Sequence, residues 1–210
     1  MKLKKLLRSF YLRPTITVAK DLLGKYLVRK IGSKTLIGKI VEVEAYLGLN
    51  DAASHTYRGQ TKRNEVMFRK GGNLYVYFTY GMHFCANVVT EKEGIGHAVL
   101  LRALEPIQGI DIMAKHRTMI DDFSDKKQMA DGVDISDARG LTNGPAKLCQ
   151  AFGIGKKENG IDLLKEMIFV AEGTNVSRSA IVSTTRIGII HDAEKKWRFY
   201  LKGNPFISKK

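Results

Sequence analysis

The chain has 210 residues, of which 44% are hydrophobic and 27% are charged. A chain of this length buries roughly 70% of its unfolded surface, so it needs neither disulfides nor a metal to fold. The composition is that of a globular protein and excludes a disordered, collagen-like or coiled-coil chain as the main architecture. Length and the lack of a Pro- or Ser-rich linker favour one domain over residues 1–210.

Charge is the first unusual property of the sequence. Lys and Arg number 35 against 21 Asp and Glu, which gives a formal net charge of +14. A surplus of this size is typical of a domain that binds a polyanion, with nucleic acid as the first candidate and an anionic membrane surface as the second. A basic surface that serves only solubility is the alternative interpretation.

The two cysteines, Cys85 and Cys149, are far apart in the sequence. Two lone cysteines cannot form a Cys₄ zinc site or a disulfide framework, so both are predicted to be buried free thiols in a reducing compartment. No run approaches the ~20 apolar residues of a membrane helix, and no apolar segment follows the basic start. We therefore expect a cytoplasmic protein without a signal peptide or a transmembrane segment.

The first half of the chain alternates apolar runs with glycine-containing turns. Residues 17–23 are predicted to form a helix that ends at Gly24, and Gly32-Ser33 is predicted to be a two-residue hairpin turn. Residues 51–64 are polar and are predicted to be a loop. Runs rich in β-branched and aromatic residues predict strands at 26–31, 35–46, 73–80, 82–90 and 98–104.

The second half is predicted to contain more helix. Pro106 opens a helical pattern to about residue 117, and Asn143-Gly144-Pro145 begins another helix that ends at Gly153. Residues 121–137 hold six Asp and are predicted to be a mobile loop, and residues 179–201 to be mostly strand. The predicted fold class is α+β, a single mixed domain with a curved antiparallel β-sheet core and peripheral helices.

The predicted strand that ends at Tyr46 carries the most informative polar pattern. Side chains alternate along a strand, so Glu42, Glu44 and Tyr46 are predicted to share one face. The loop that follows is rich in small and polar residues and contains His55, which could close a pocket over that face. A solvent-facing amphipathic strand would show the same alternation and is the alternative at this point.

Residues 75–87 form a second, unusually aromatic segment. Tyr75 and Tyr77 are predicted to share one face of a strand, with Tyr80 on the other face and Met82 beside it at a hairpin tip. An exposed tyrosine and methionine are unfavourable in water unless they insert into a partner, and in a basic protein a stack of bases is such a partner. An aromatic sheet core is the alternative for Tyr75 and Phe78.

Five blocks of the sequence follow one another in a specific order. They are Glu42-Val-Glu-Ala-Tyr-Leu-Gly48, Arg63-Asn64, Tyr75-Val-Tyr-Phe-Thr-Tyr-Gly-Met82, Leu100-Leu-Arg-Ala-Leu-Glu-Pro106 and Asn143-Gly-Pro-Ala-Lys-Leu-Cys-Gln150. Together they resemble the alkyladenine (3-methyladenine) DNA glycosylase family, in its single-domain, metal-free type that includes the mammalian enzyme. The resemblance runs from about residue 22 to residue 203, and five ordered blocks are far more specific than one.

The resemblance implies catalytic roles for three residues. Glu44 matches the glutamate that activates the attacking water. Arg102 matches an arginine near that water and near the phosphate of the flipped nucleotide. Ile187 matches a residue whose backbone carbonyl helps to hold the water. We therefore expect these three residues to form the catalytic centre.

The resemblance also implies a pocket for the flipped base. Tyr46, His55 and Tyr77 match residues that line this pocket. Asn87 matches the asparagine at its edge, which disfavours the amino group of guanine. The implied substrates are damaged purines of the 3-methyladenine, 7-methylguanine, hypoxanthine or ethenoadenine type. The implied reaction is hydrolysis of the N-glycosidic bond in base-excision repair, which leaves an abasic site without lyase activity.

Four further positions are matched to DNA contacts. Tyr80 matches the tyrosine that fills the gap left by the flipped nucleotide, and Met82 and Thr61 match other DNA-contacting residues. His83 stands where the mammalian enzyme has tyrosine, so its contact with DNA is open. The implied partner is double-stranded DNA that contains damaged purines. The long N-terminal extension of the mammalian enzyme is missing, which suggests a bacterial-type form, and a monomer is the default expectation.

The residues alone leave two other functions open. A non-catalytic nucleic-acid-binding protein would have the same charge and the same tip tyrosine. Glu42 and Glu44 could serve a metal-dependent hydrolase, although no Asp or His cluster completes such a site. The P-loop and zinc-deaminase signatures are absent, and we expect neither a metal nor a cofactor.

Overall fold

The computed structural model describes residues 3–121 and 138–209. Within them the chain forms one eight-stranded antiparallel sheet and five α-helices, which confirms the predicted α+β class. The strands are β1 (Tyr26–Ile31), β2 (Lys34–Leu47), β3 (Leu74–Thr79), β4 (His83–Thr90), β5 (His97–Gln108), β6 (Ile168–Ala171), β7 (Ile181–Thr184) and β8 (Arg198–Leu201). The helices are α1 (Arg8–Tyr11), α2 (Thr15–Leu22), α3 (Ile110–Asp121), α4 (Arg139–Thr142) and α5 (Pro145–Ala151).

Strand β2 lies at the centre of the sheet. The strand order is β3-β4-β5-β2-β1-β6, and β8 pairs with both β2 and β7. β5 follows β2 along most of its length, β1 pairs with its first half, and β8 pairs with residues 42–44. Every residue of β2 from Ile40 to Ala45 is buried. Glu42 and Glu44 therefore lie inside the protein, and a solvent-facing strand is excluded.

Two irregularities interrupt the pairing of β2 with β5 at these glutamates. The register passes from Ile40 opposite Leu104 to Glu42 opposite Ala103, and then to Val43 opposite Leu101. Val41 and Arg102 thus have no direct partner across this pair. Bulges re-aim side chains and are frequent next to functional sites. Here the irregularity brings the guanidinium of Arg102 to both carboxylates.

The helices cover the sheet. α2 packs on β2 and β5, α5 packs on β4 and β5, and α3 and α4 pack against α5. Leu22, Leu104 and Phe152 are among the fully buried side chains of this core, and burying a side chain of this size contributes about 1.5–3 kcal/mol. Cys85 and Cys149 are buried free thiols, as predicted. No helix in the described part of the chain is both long and apolar enough to cross a membrane.

The elements of the first half agree with the sequence patterns, but the helix predicted from Pro106 does not. Pro106 lies inside β5, which continues to Gln108, and α3 begins only at Ile110. Pro106 is opposite Gly38, at another shift in the β2–β5 register. Proline has no N–H to donate and is tolerated at such irregularities. The prediction missed this because proline also favours the first turn of a helix.

Two predictions for the later part of the chain need comment. Residues 179–201 are not mostly strand, since only β7 and β8 form there and residues 185–197 are irregular. One of these irregular residues, Ile187, donates its backbone N–H to Glu44 in the site described below. The mobile loop predicted at 121–137 lies outside the described residues, apart from Asp121, the last residue of α3.

Gly24→Ala and Gly32→Ala form a matched pair that tests the packing of the backbone. Both glycines have positive φ, +83° and +57°, where a Cβ costs about 1 kcal/mol. A Cβ on Gly24 would lie 2.4 Å from the Thr174 carbonyl oxygen, whereas nothing lies within 4 Å at Gly32. We expect urea denaturation to show a loss of about 1 kcal/mol for Gly32→Ala and at least about 2 kcal/mol more for Gly24→Ala. Equal losses would contradict the close contact at Gly24.

Candidate active site

A cavity of about 430 Å³ opens where the end of β2 meets β3, β4 and β5. This volume is in the range of sites that bind small organic groups. Four tyrosines, at positions 46, 75, 77 and 80, contribute to its wall, together with Arg63 and Arg102. The segment 187–189 and Pro145, at the start of α5, close the remaining sides. The cavity is therefore aromatic with a basic edge.

Glu44 lies beneath the floor of this cavity and is fully buried. Its Oε1 accepts the backbone N–H of Ile187 at 2.8 Å and lies 3.2 Å from Arg102 Nη1. Its Oε2 accepts the hydroxyl of Tyr46 at 2.9 Å. A carboxylate has about four acceptor positions, so about one position remains for a further donor such as a water. All three donors belong to residues that line the cavity.

Glu42 compensates the charge on the other side of Arg102. Its Oε1 lies 3.1 Å from Arg102 Nε and 2.7 Å from Arg198 Nε. Two carboxylates therefore face two guanidinium groups within the sheet, all of them buried. Buried charges are tolerated when they are paired and hydrogen-bonded. Arg102 links the two carboxylates, which confirms that Glu42 and Glu44 share a face.

Arg186 fixes Tyr46 from behind. Its guanidinium lies 4.6 Å from the centre of the Tyr46 ring and forms two bonds of 2.6 and 2.7 Å to the carboxylate of Asp51. It also donates to the carbonyl of Ala45. Burial raises the pKa of the Tyr46 hydroxyl, and the adjacent Glu44 raises it further. Tyr46 therefore remains protonated and keeps donating to Glu44.

The opposite wall is a cluster of aromatic rings. The rings of Tyr75 and Tyr77 stack with centres 5.6 Å apart, and the His55 ring meets Tyr77 edge-on at 4.4 Å. His55 Nδ1 shares a hydrogen bond of 3.0 Å with the Tyr75 hydroxyl, whose pKa burial raises to about 12. Burial lowers the pKa of His55, and Arg63 lowers it further. His55 is therefore neutral near pH 7.

The loop that carries His55 is held by Asn64. The side-chain amide of Asn64 donates to the carbonyls of His55 and Gly59 at 2.8 and 3.0 Å, and its oxygen accepts the N–H of Thr61 at 2.6 Å. These bonds satisfy backbone groups that have no strand partner. They explain why a buried asparagine stands at this point of the Arg63-Asn64 block.

Asn87 and Cys85 bring two small polar groups to the cavity from β4. The Asn87 amide donates to the carbonyl of Tyr75 at 3.2 Å, which fixes its orientation in the wall. Burial raises the pKa of the Cys85 thiol, so the thiol is protonated at neutral pH. Cys85 is a weak hydrogen-bonding group here and is not a thiolate nucleophile.

Tyr80 stands at the rim of the cavity on the turn between β3 and β4. It has a positive φ of 52°, and 84% of its surface is exposed. The hairpin tip is confirmed, but Tyr80 does not lie on the face opposite Tyr75 and Tyr77. The turn breaks the strand alternation, so all three tyrosines contribute to the cavity wall. Met82 is exposed beside it.

The structure brings most of the sequence-predicted residues together. Those that line the cavity are Tyr46, His55, Tyr77, Tyr80, Asn87, Arg102 and Ile187. Glu44 is bonded to three of them from below. Thr61, Met82 and His83 do not contribute to the cavity wall, and they lie on the loop before β3 or at the hairpin tip.

Several residues of the site were not predicted from the sequence. Arg63, Met67 and Cys85 line the cavity, and Arg186 and Asp51 hold Tyr46. Arg186 adjoins the predicted Ile187, and its place beside that residue in the sequence was the available signal. The Asp51–Arg186 pair spans 135 positions, which no local pattern reports. In the described segments, no group of three or more His, Cys, Asp or Glu could hold a metal ion.

Comparison with known proteins identifies the family. The methylpurine-DNA glycosylase (MPG) family matches residues 9–205. A protein from Carboxydothermus hydrogenoformans is 50% identical over 204 residues, which cover 97% of this chain and 98% of that protein. Another from Clostridium acetobutylicum is 45% identical over 208 residues, 97% of each chain. The names of both contain the words 3-methyladenine DNA glycosylase.

An aromatic cavity with a buried carboxylate beneath it is suited to binding a planar group and to acid–base chemistry on it. The chain belongs to the methylpurine-DNA glycosylase family. The predicted family and enzyme class are thereby confirmed: a DNA glycosylase, which hydrolyses N-glycosyl bonds in DNA repair.

The pKa of His55 tests the electrostatics of the aromatic wall. Titration of the imidazole by NMR should give a value below the ordinary 6.5, because burial and Arg63 both disfavour the charged ring. Arg63→Gln should raise the value only part of the way to 6.5, since burial is the larger cause. Lys62→Gln, a neighbouring exposed cation, should leave it unchanged. An ordinary pKa in the unmodified protein would contradict this description of the wall.

Proposed function

We propose that this protein removes alkylated and deaminated purines from duplex DNA. It turns the damaged nucleotide out of the stack, hydrolyses its N-glycosidic bond with a water activated by Glu44, and leaves an abasic site. The proposed bases are 3-methyladenine, 7-methylguanine, hypoxanthine and ethenoadenine. Family membership supports the reaction, and the net charge of +14 supports a substrate rich in phosphates.

The observation that carries the proposal is the environment of Glu44. A buried carboxylate is unfavourable unless its charge is used or compensated, and Glu44 is held by three donors that leave about one acceptor position free. A water in that position would be next to the cavity. Glu44 could then accept its proton while the water attacks the sugar C1′ of a nucleotide in the cavity, and its charge would stabilise the developing positive charge on the sugar.

The tyrosine rings supply the binding energy for a purine. Stacking a base on an aromatic ring contributes about 1–3 kcal/mol. An alkylated purine is electron-poor, so it is attracted to the electron-rich faces of Tyr46 and Tyr77. Asn87 presents a fixed amide at the same wall. Its position supports discrimination between purines by the groups that they carry on the edge of the ring.

Arg102 and Ile187 have positioning tasks in the proposed reaction. The Arg102 guanidinium and the Ile187 N–H both contact Glu44 Oε1 and hold this atom in one position. The carbonyl of Ile187 is the candidate second acceptor for the attacking water. Thr61, Met82 and His83, near the rim, are the candidate contacts to the DNA strands.

Water is the proposed nucleophile. Among the described residues that line the cavity there is no lysine, the residue type that forms a Schiff base with the sugar and leads to strand cleavage. We therefore propose a monofunctional glycosylase. Borohydride trapping of a covalent adduct between the protein and a DNA substrate would contradict this point.

Glu44→Gln tests the proposed base. The assay uses a duplex with one hypoxanthine or ethenoadenine, excess protein and EDTA, and alkali to cleave abasic sites. We expect the variant to be slower by at least about a hundredfold, because a placed general base contributes about 10²–10⁴-fold. Glu105→Gln is the matched control, since this carboxylate of β5 bonds Lys39 and Asn204 and does not line the cavity.

Three outcomes of this assay are informative. Equal rates for Glu44→Gln and the unmodified protein would remove Glu44 from its proposed role. Tight, salt-sensitive binding without cleavage, repeated on methylated DNA, would favour the non-catalytic nucleic-acid-binding protein. Activity that is present when EDTA is omitted and absent when it is included would favour a metal-dependent hydrolase instead.

Tyr80→Ala tests whether the Tyr80 ring fills the gap that the flipped nucleotide leaves in the base stack. The gap left by a flipped nucleotide exists only in a duplex, so the loss should depend on the form of the substrate. We expect excision from the duplex to slow about tenfold to a hundredfold, as the loss of 1–3 kcal/mol of stacking implies, with a much smaller change on single-stranded DNA. Ile107→Ala removes an exposed apolar side chain that is not in the cavity wall and is the control. Equal slowing on both substrates would argue against insertion.

A further inference from the structure

A serine outside the cavity contacts the same buried charges. The 206–209 segment follows β8 and brings Ser208 to Glu42. The backbone N–H of Ser208 donates to Glu42 Oε2 at 2.5 Å, and its hydroxyl donates to Oε1 at 2.9 Å. Ser208 therefore provides two of the hydrogen bonds that a fully buried carboxylate needs.

The same hydroxyl accepts a bond from Arg102. Arg102 Nη2 lies 3.2 Å from Ser208 Oγ, Arg102 Nε lies 3.1 Å from Glu42 Oε1, and Arg102 Nη1 lies 3.2 Å from Glu44 Oε1. Each nitrogen of the guanidinium thus has its own partner. A guanidinium is planar and rigid, so the bonds at Nε and Nη2 also determine where Nη1 points.

We propose that Ser208 is a positioning residue for base excision. Its hydroxyl, between Glu42 and Arg102, holds the plane of the guanidinium so that Nη1 faces Glu44. The inference rests on the proposed role of Glu44 in hydrolysis. Ser208 does not line the cavity, so it acts through Arg102 and does not touch the base.

The contacts allow this role to be separated from a general contribution to stability. Ser208→Ala removes the hydroxyl but keeps the backbone N–H that bonds Glu42 Oε2. The segment is also held by the bond from Arg198 to the Lys209 carbonyl. The variant therefore leaves the 206–209 segment attached and removes only the two hydroxyl bonds, one to Arg102 Nη2 and one to Glu42 Oε1. Ser208→Thr restores a hydroxyl at the same place.

Single-turnover excision with increasing excess of protein over an ethenoadenine duplex tests the proposal. Ser208→Ala should lower the maximal rate about tenfold or more, since small misplacements of catalytic groups have effects of this size. The protein concentration at half-maximal rate should stay the same. Ser208→Thr should recover most of the rate. Ser179→Ala, which removes an exposed hydroxyl bonded to Ser177, should match the unmodified protein.

Glu44→Gln in the same series separates the two claims. If Glu44→Gln is inactive and Ser208→Ala reaches the full maximal rate, the positioning role is wrong and the proposed function stands. If Ser208→Thr is as slow as Ser208→Ala while both melt at the same temperature as the unmodified protein, the hydroxyl is not the group that matters. If Glu44→Gln retains full activity, the proposed function fails and this inference fails with it.

Discussion

The site depends on one constraint, which is that two carboxylates and two guanidinium groups are buried together inside a β-sheet. Glu42 and Glu44 are fully shielded, and each would be costly if it were left unpaired. Arg102 contacts both carboxylates, and Arg198 contacts Glu42, so that two positive charges balance two negative charges. Removing any member would leave an uncompensated charge in a medium of low dielectric. The position of Glu44 therefore depends on the neighbouring strands and on the 206–209 segment.

The strands and the loops contribute different parts of the site. The sheet supplies the fixed groups, because Glu44 and Arg102 lie on its two longest strands, next to the irregular pairing at Val41 and Arg102. The loops complete the walls that β2, β3 and β4 begin, since His55 comes from residues 51–64 and Ile187 from the irregular segment after β7. The buried Arg186–Asp51 pair joins these two loops and stacks on Tyr46. The two loops are in this way bonded to each other and packed against Tyr46.

The sequence predicted the parts of the site that follow from local rules. Strand alternation predicted that Glu42, Glu44 and Tyr46 share a face, and turn chemistry predicted Tyr80 at a hairpin tip; both agree with the structure. The irregular pairing at Arg102 depends on how β2 aligns with β5, and the Asp51 and Ser208 contacts join residues far apart in the chain. Pro106 was misassigned because proline is compatible with both a helix start and a strand irregularity. Those features come from tertiary structure, which local patterns do not report.

In the proposed reaction, the sugar of a flipped nucleotide meets Glu44 at the floor of the aromatic cavity. A crystal structure of Glu44→Gln bound to a duplex with one uncleaved ethenoadenine tests it most directly. We expect the base to lie against the Tyr46 and Tyr77 rings, and the sugar C1′ to face the side chain at position 44 with room for one water. We expect Tyr80 to fill the gap in the stack. A base that stays in the helix, or a sugar that faces away from position 44, would contradict it.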